Sequence, residues 1–255
     1  MKEFKADKLT VKIYETREKM GVVAAQEAAE AICKMLKEKE TLTIVFAAAP
    51  SQNEFLAALV AAQNIDWQRI TALHMDEYVG LPENAPQGFG NFLRKAIWDK
   101  LPFGKILYLY NDTLSPEENC KRYETVLAEN PIDLVFMGIG ENGHIAFNDP
   151  HVAFFDDAQA IKIVDLDLAC RQQQVNDGCF GALEEVPTHA LTLTIPTLMS
   201  AKQIFCIVPS VRKSQAVKAA VEGKVATTCP ASVLRTHNNA ALYIDKDAAN
   251  QLTVK

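Results

Sequence analysis

The sequence predicts the α/β class, built on a mainly parallel sheet. Three observations carry this. Apolar, β-branched runs alternate with segments of helical period over all 255 residues. Two of those runs, 41–49 (TLTIVFAAA) and 132–140 (IDLVFMGIG), are apolar almost throughout, as strands covered on both faces must be. Helix-start signals fall between the runs, the clearest being Ser115-Pro116-Glu117-Glu118. A composition that is 49% hydrophobic and 23% charged is that of a folded globular chain.

Taken in order, 17–39 reads as a helix, because Met20, Ala24, Ala28, Ala31, Met35 and Leu36 recur at helical spacing while charges fill the other face. The run 41–49 is a strand. A second helix opens at Pro50-Ser51-Gln52-Asn53-Glu54 and runs to about residue 63, with Ser51 and Glu54 spaced as a capping box. Residues 69–76 (RITALHMD) read as one strand, 89–101 as a helix and 105–110 as a strand. Ser115 then starts a helix, and 132–140 is the most apolar strand. Further strands are expected at 190–195, 203–208 and 240–244, with a helix over 210–221. With no repeat, low-complexity tract or linker, the pattern is one domain over 1–255, three-layered and Rossmann-like, with helices on both faces of the sheet.

Several function classes are excluded at this stage. With 26 Lys+Arg against 32 Asp+Glu, the formal net charge is −6, which argues against nucleic acid or an anionic membrane as partner. No stretch approaches the ~18 apolar residues of a membrane span. The first ten residues, MKEFKADKLT, lack the apolar core of a signal peptide. The six cysteines form no C-x-x-C pair and sit mostly in apolar segments, so reduced thiols in the cytoplasm are expected. The five histidines lack paired metal-ligand spacing, so neither a metal nor another cofactor is expected.

In parallel sheets ligands sit beyond the carboxyl ends of strands, and three such ends carry chemistry. The first, AAAPSQNEF, leads small residues into a helix N-terminus. It reads either as a simple cap or as an anion site made by Ser51, Gln52, Asn53 and free backbone N–H groups. The second, HMDEYVG, puts Asp76 and Glu77 directly after an apolar strand, where a half-desolvated carboxylate suits a general base. The third, GIGENGHIAFNDP, surrounds His144 with Gly138, Gly140, Gly143, Asn142 and Asp149. A carboxylate beside an imidazole sets its tautomer and charge, as a proton shuttle requires. Its glycines do not make a dinucleotide fingerprint, because no helix follows them directly.

With these segments in view, the chain resembles the glucosamine-6-phosphate deaminase/isomerase family. HMDEYVGLP and GIGENGHIAFNDP are close to that family's two most specific motifs. VPTHALTLTIPTLMSAKQIFCIVPS and KSQAVKAAVEG match its later strands and helix. The related 6-phosphogluconolactonases share the fold. They continue from Gly-His into a serine-rich stretch, where this chain reads His144-Ile145-Ala146-Phe147-Asn148. The resemblance implies a 2-amino-2-deoxy-hexose 6-phosphate substrate, with glucosamine-6-phosphate the default and galactosamine-6-phosphate the alternative. It implies ring opening, C2-to-C1 proton transfer and loss of ammonia. Asp76 matches the base, His144 the ring-opening residue, Asn142 and Asp149 its orienting partners, and Lys213 a phosphate ligand. Glu77 and Gly143 accompany them in the motifs.

The departures fall on the phosphate contacts. The family's Pro-Ser/Thr-Gly-Gly-Thr loop is Pro50-Ser51-Gln52-Asn53-Glu54 here, the orienting glutamate is Asp149, and the lid arginine falls near Gly178, so that Arg171 is the candidate to replace it. A second copy of the chain is retained as a candidate partner. A sugar-phosphate sensor without turnover is the contrasting reading, disfavoured because a binder needs neither a base nor a proton shuttle.

Overall fold

The protein is described by a computed structural model over residues 1–253. It opens with a hairpin that the sequence reading did not anticipate, β1 (Lys2–Ala6) and β2 (Leu9–Tyr14). Only one face of β2 is fully covered, so Leu9, Val11 and Ile13 alternate with Thr10 and Lys12, and the charges mask the pattern. Helix α1 (Arg17–Glu38) follows, with the Thr16 hydroxyl accepting from the Lys19 N–H at 3.2 Å. Then come β3 (Leu42–Phe46), a 3-10 turn at Pro50–Gln52 and α2 (Asn53–Val60).

The expected capping box at Ser51 and Glu54 does not form. Ser51 lies inside the 3-10 turn instead of ahead of a helix. The Glu54 carboxylate turns to Arg17, with Nε–Oε2 at 2.7 Å, and the same guanidinium donates through Nη2 to the Pro50 carbonyl.

The run 69–76 is two strands, β4 (Ile70–His74) and β5 (Asp76–Tyr78). At Met75 the chain leaves one sheet for another, because its carbonyl accepts from the Leu193 N–H at 2.8 Å and Asp76 then pairs with Thr192. Next are α3 (Phe89–Ala96), β6 (Lys105–Leu107) and α4 (Pro116–Glu129), the last with the expected capping box between Ser115 and Glu118. The chain continues through β7 (Leu134–Met137), β8 (Ile161–Asp165), α5 (Leu168–Asn176), β9 (His189–Leu193), α6 (Ile195–Met199) and β10 (Gln203–Val208). It closes with α7 (Ser214–Glu222) and β11 (Ala240–Asp245).

Eight strands form the main sheet in the order β1-β2-β11-β10-β7-β3-β4-β6, parallel at every pairing except β1 with β2. The strand expected at 190–195 is β9, and it belongs to a separate antiparallel sheet, β5-β9-β8. Both faces of the main sheet are buried. Val45, Leu73, Val135, Met137, Cys206 and Leu242 join α7 residues Ala216, Val217, Ala220 and Val221 in one core. Their alternates Phe46, Phe136, Phe205 and Tyr243 join Met20, Ala24, Ala28 and Ile32 of α1 and Phe55 of α2 in the other. Those four rings form a ladder across adjacent strands with centroids 5.3, 5.7 and 5.9 Å apart. Such pairs add about 0.5–1.5 kcal/mol each beyond their buried area. This rigid centre sets the positions of the strand ends on which the site is built.

Candidate active site

The carboxyl ends of four adjacent strands, β4, β3, β7 and β10, open on one cleft, the place where parallel sheets hold their ligands. Ser51, Gln52, Asp76, His144 and Lys213 line it. A larger groove lies beyond β5 and contains none of Asp76, His144 or Lys213, so the convergent chemistry is in the smaller space.

Asp76 is buried, and its carboxylate makes no hydrogen bond among the described residues. Burial first, and the neighbouring Glu77 second, push it well above the ordinary carboxylate value of 3.8. Glu77 points to the other side of β5. Its carboxylate accepts from the N–H groups of Tyr78, Phe89 and Gly90 at 3.0, 2.9 and 2.8 Å, pinning the start of α3. Burial raises it to about 7 despite those donors. Adjacent acids on a strand alternate sides, so only one of the two faces the cleft, and Glu77 is not a cleft residue as expected from the sequence.

His144 follows β7 on a turn made possible by two glycines. Gly143 is left-handed at φ +87° and its carbonyl accepts from Ala231 N–H at 2.9 Å. Gly140 lies directly beneath the imidazole, where a Cβ would come within 2.2 Å of Cε1 and Nε2. The ring's Nδ1 sits 3.0 Å from Asp149 Oδ1 at an ion-pair distance, but its alignment leaves this buried nitrogen without a hydrogen-bond partner. Asp149 is fully buried and accepts from Asn142 Nδ2 at 2.9 Å and from Asp167 N–H at 3.3 Å. Burial alone would raise its carboxyl, but His144, Asn142 and the Asp167 N–H outweigh burial and hold it below the ordinary value. Asn142 Oδ1 in turn accepts from the His144 N–H at 3.0 Å. The shorter aspartate thus reaches the histidine.

Lys213 ends a 3-10 turn after β10. The turn begins at Ser210, a non-glycine residue held at φ +91° by two hydrogen bonds from its N–H to the Asp245 carboxylate, both 3.1 Å. The Lys213 side chain is 6% exposed and makes no ion pair or hydrogen bond among the described residues. Burial lowers its ammonium, while Asp177 and Glu141 pull the other way. A buried cation facing a cleft without a partner is suited to an anionic ligand group.

Gln52 is buried and donates from Nε2 to Ser51 Oγ and to the Ile207 carbonyl, both at 3.1 Å, stitching the loop to β10. Asn53 is exposed at the start of α2 and lies outside the cleft, contrary to expectation. Arg171 is also elsewhere. Its guanidinium donates to the carbonyls of Leu183 at 2.7 Å and Val186 at 2.9 Å, because the segment after α5 folds back over it. The residues of α5 that do line the cleft are Gln173 and Gln174. Gln173 Oε1 accepts from Glu141 N–H at 2.8 Å, which ties α5 to the His144 turn. Sequence reasoning missed both glutamines, because α5 is half exposed and nothing local tells Gln173 and Gln174 from the exposed Gln172 beside them.

A family described as glucosamine-6-phosphate isomerases/6-phosphogluconolactonase matches residues 15–243. The chain belongs to this family. Within it, a glucosamine-6-phosphate deaminase of Bacillus cereus strain B4264 is 37% identical over 232 residues, covering 89% of this chain and 86% of its own length. A Bacillus anthracis relative of the same name matches to the same extent. The solved structure of a monomeric glucosamine-6-phosphate deaminase superposes with a TM-score of 0.85 at 28% identity, covering 95% of this chain and 99% of that one. A 6-phosphogluconolactonase of Thermotoga maritima shares the fold at a TM-score of 0.76 and 17% identity, over 92% and 99% of the two chains. The chain is an enzyme of the glucosamine-6-phosphate isomerase/6-phosphogluconolactonase family, and the cleft sits where its two most distinctive segments meet.

Proposed function

We propose that the enzyme deaminates a hexosamine 6-phosphate, with glucosamine-6-phosphate the first candidate and galactosamine-6-phosphate the alternative epimer. The observation that carries this reading is the meeting of Asp76, the His144–Asp149 pair and the unpaired Lys213 in one cleft. His144 moves a proton at the ring oxygen so that the sugar opens, with the Asp149 carboxylate beside its Nδ1 and Asn142 fixing both Asp149 and the His144 backbone N–H. Asp76 takes the proton from C2 and returns it at C1, leaving an iminium at C2 that water hydrolyses to a ketone and ammonium. Lys213, the Ser51 hydroxyl and the amide of Gln174 hold the phosphate. Sequence likeness to named deaminases supports deamination over lactone hydrolysis, since the lactonase structures are near only in fold.

The whole chain acts as one domain in this reading, on a small molecule, with no nucleic acid or membrane partner. No helix among the described residues is long and apolar enough to cross a membrane. Six free thiols support the reducing cytoplasm as its compartment.

The test is a panel of glucosamine, galactosamine and their 6-phosphates assayed for ammonia release, with 6-phosphogluconolactone hydrolysis as a parallel arm. Ammonia from a 6-phosphorylated hexosamine is the expected result. Lactone hydrolysis without ammonia release would overturn the proposal.

A further inference from the structure

Sequence spacing offered no metal site, but the fold brings two candidate groups together around Asp149, and the more buried of them forms where α5 meets the His144 turn. A ring nitrogen of His144, a carboxylate oxygen of Asp149 and Sγ of Cys170 all lie within 4.8 Å of one another, and it is Nδ1 that faces Asp149, at 3.0 Å. All three side chains are at least nine-tenths buried. The imidazole Nδ1 is buried without a hydrogen-bond partner, the state of a nitrogen with an unused coordination position. Cys170 reaches this place because its N–H donates to Asp167 Oδ1 at 2.6 Å, which fixes the first turn of α5. Asp149 is already held by Asn142 and the Asp167 N–H, and those bonds form the outer support that metal-binding carboxylates use.

We propose that Zn2+ binds reversibly at His144, Asp149 and Cys170 and switches the enzyme off. One nitrogen, one oxygen and one sulfur donor suit zinc and exclude the hard cations Mg2+ and Ca2+. Tetrahedral zinc holds such donors about 3.3–3.7 Å apart, so the thiol and ring need to close by only about an ångström. The ion enters through the cleft, which His144 lines. On binding, the Cys170 thiol proton leaves to solvent, and the imidazole carries its remaining proton on Nε2 while Nδ1 gives its lone pair to the metal. The histidine is then locked in one tautomer and removed from proton transfer. The fourth position of the zinc stays open to water.

Calorimetric titration of the whole protein with zinc tests this without reference to turnover, so it stands even if the deaminase reading fails. One saturable site is expected, with Kd weakened at least about tenfold in Cys170→Ser and unchanged in His151→Gln. His151 belongs to an alternative grouping with Asp149 and Asp167. Cobalt in place of zinc is expected to show a sulfur-to-metal charge-transfer band in the wild type, a readout that needs no variant. Where the hexosamine phosphate assay gives activity, zinc should inhibit it, and Cys170→Ser should raise the inhibitory concentration by the same factor as Kd. Equal zinc affinity in wild type and Cys170→Ser, loss of binding in His151→Gln instead, absence of the cobalt band, or no saturable binding would each overturn the proposal.

Discussion

At the scale of single residues, Asp76 combines two opposed demands. A base must be ionised to accept a proton, yet burial and Glu77 both favour the neutral acid. Activity should therefore rise with pH through a limb displaced above the ordinary carboxylate range of about 4. A kcat/KM profile with its acid limb at an unshifted carboxylate value would remove Asp76 from that role. Asp76→Asn keeps the volume and loses the basicity, so ammonia release should fall by about a hundredfold or more. The same change should stabilise the fold. Asp76 and Glu77 both titrate higher folded than unfolded, so their protonated forms add stability that is complete at low pH. That stability is lost as pH rises, for Glu77 through about 7. Asp76→Asn should consequently melt above the wild type at pH 8, by about 2–4 °C per kcal/mol of relieved ionisation cost, with the gap narrowing as pH falls toward the ordinary carboxylate range. Melting below the wild type at pH 8 would contradict the assigned strain. Lys213→Ala should raise KM strongly for the 6-phosphorylated sugar and little for the unphosphorylated one, and equal effects on both would sink the phosphate contact.

The next scale is the element, and here the loop between β3 and α2 is instructive. Its sequence places Glu54 where it would repel a phosphate. The structure removes that conflict by pairing Glu54 with Arg17 from the first turn of α1. Because Arg17 also holds the Pro50 carbonyl, the helix acts as a clamp on the loop that presents Ser51. Arg17→Met keeps the apolar stem and loses the clamp. KM for the phosphorylated sugar should rise several-fold with kcat nearly unchanged, and adding Glu54→Gln should restore part of the loss. A double-mutant cycle measures this coupling, and strictly additive effects would refute it. The clamp was not legible in the sequence because its partners are 37 positions apart. The capping box at Ser115 was legible, since every atom it needs lies within four residues.

For the molecule as a whole, legibility followed burial. Strands covered on both faces, such as β3, β7 and β10, announced themselves as unbroken apolar runs. The half-covered hairpin β1–β2 and the edge strand β8 did not. The break at Met75 was hidden because the acids that open β5 read as the end of a strand, whereas β4 and β5 are both fully buried, one in each sheet. The cleft was readable where a strand end carried a charged or glycine-rich segment, which gave Asp76 and His144, and where small residues led into a helix start, which gave Ser51. It failed at Arg171 because the carbonyls that capture the guanidinium belong to a segment 12 to 15 residues further on. Stability comes from two cores on either side of one sheet and from no disulfide, since all six cysteines are free. The thermal midpoint should therefore be the same with and without a reductant. A drop on reduction would reveal a bridge that this arrangement does not contain.

The imidazole of His144 rests on the bare backbone of Gly140, and any side chain there would occupy the space of the ring. The two positions are consequently coupled by space alone. While the imidazole stays in place no side chain fits at 140, and without the imidazole that space is free for one. Saturating codon 140 and selecting for growth on the enzyme's substrate should return glycine alone.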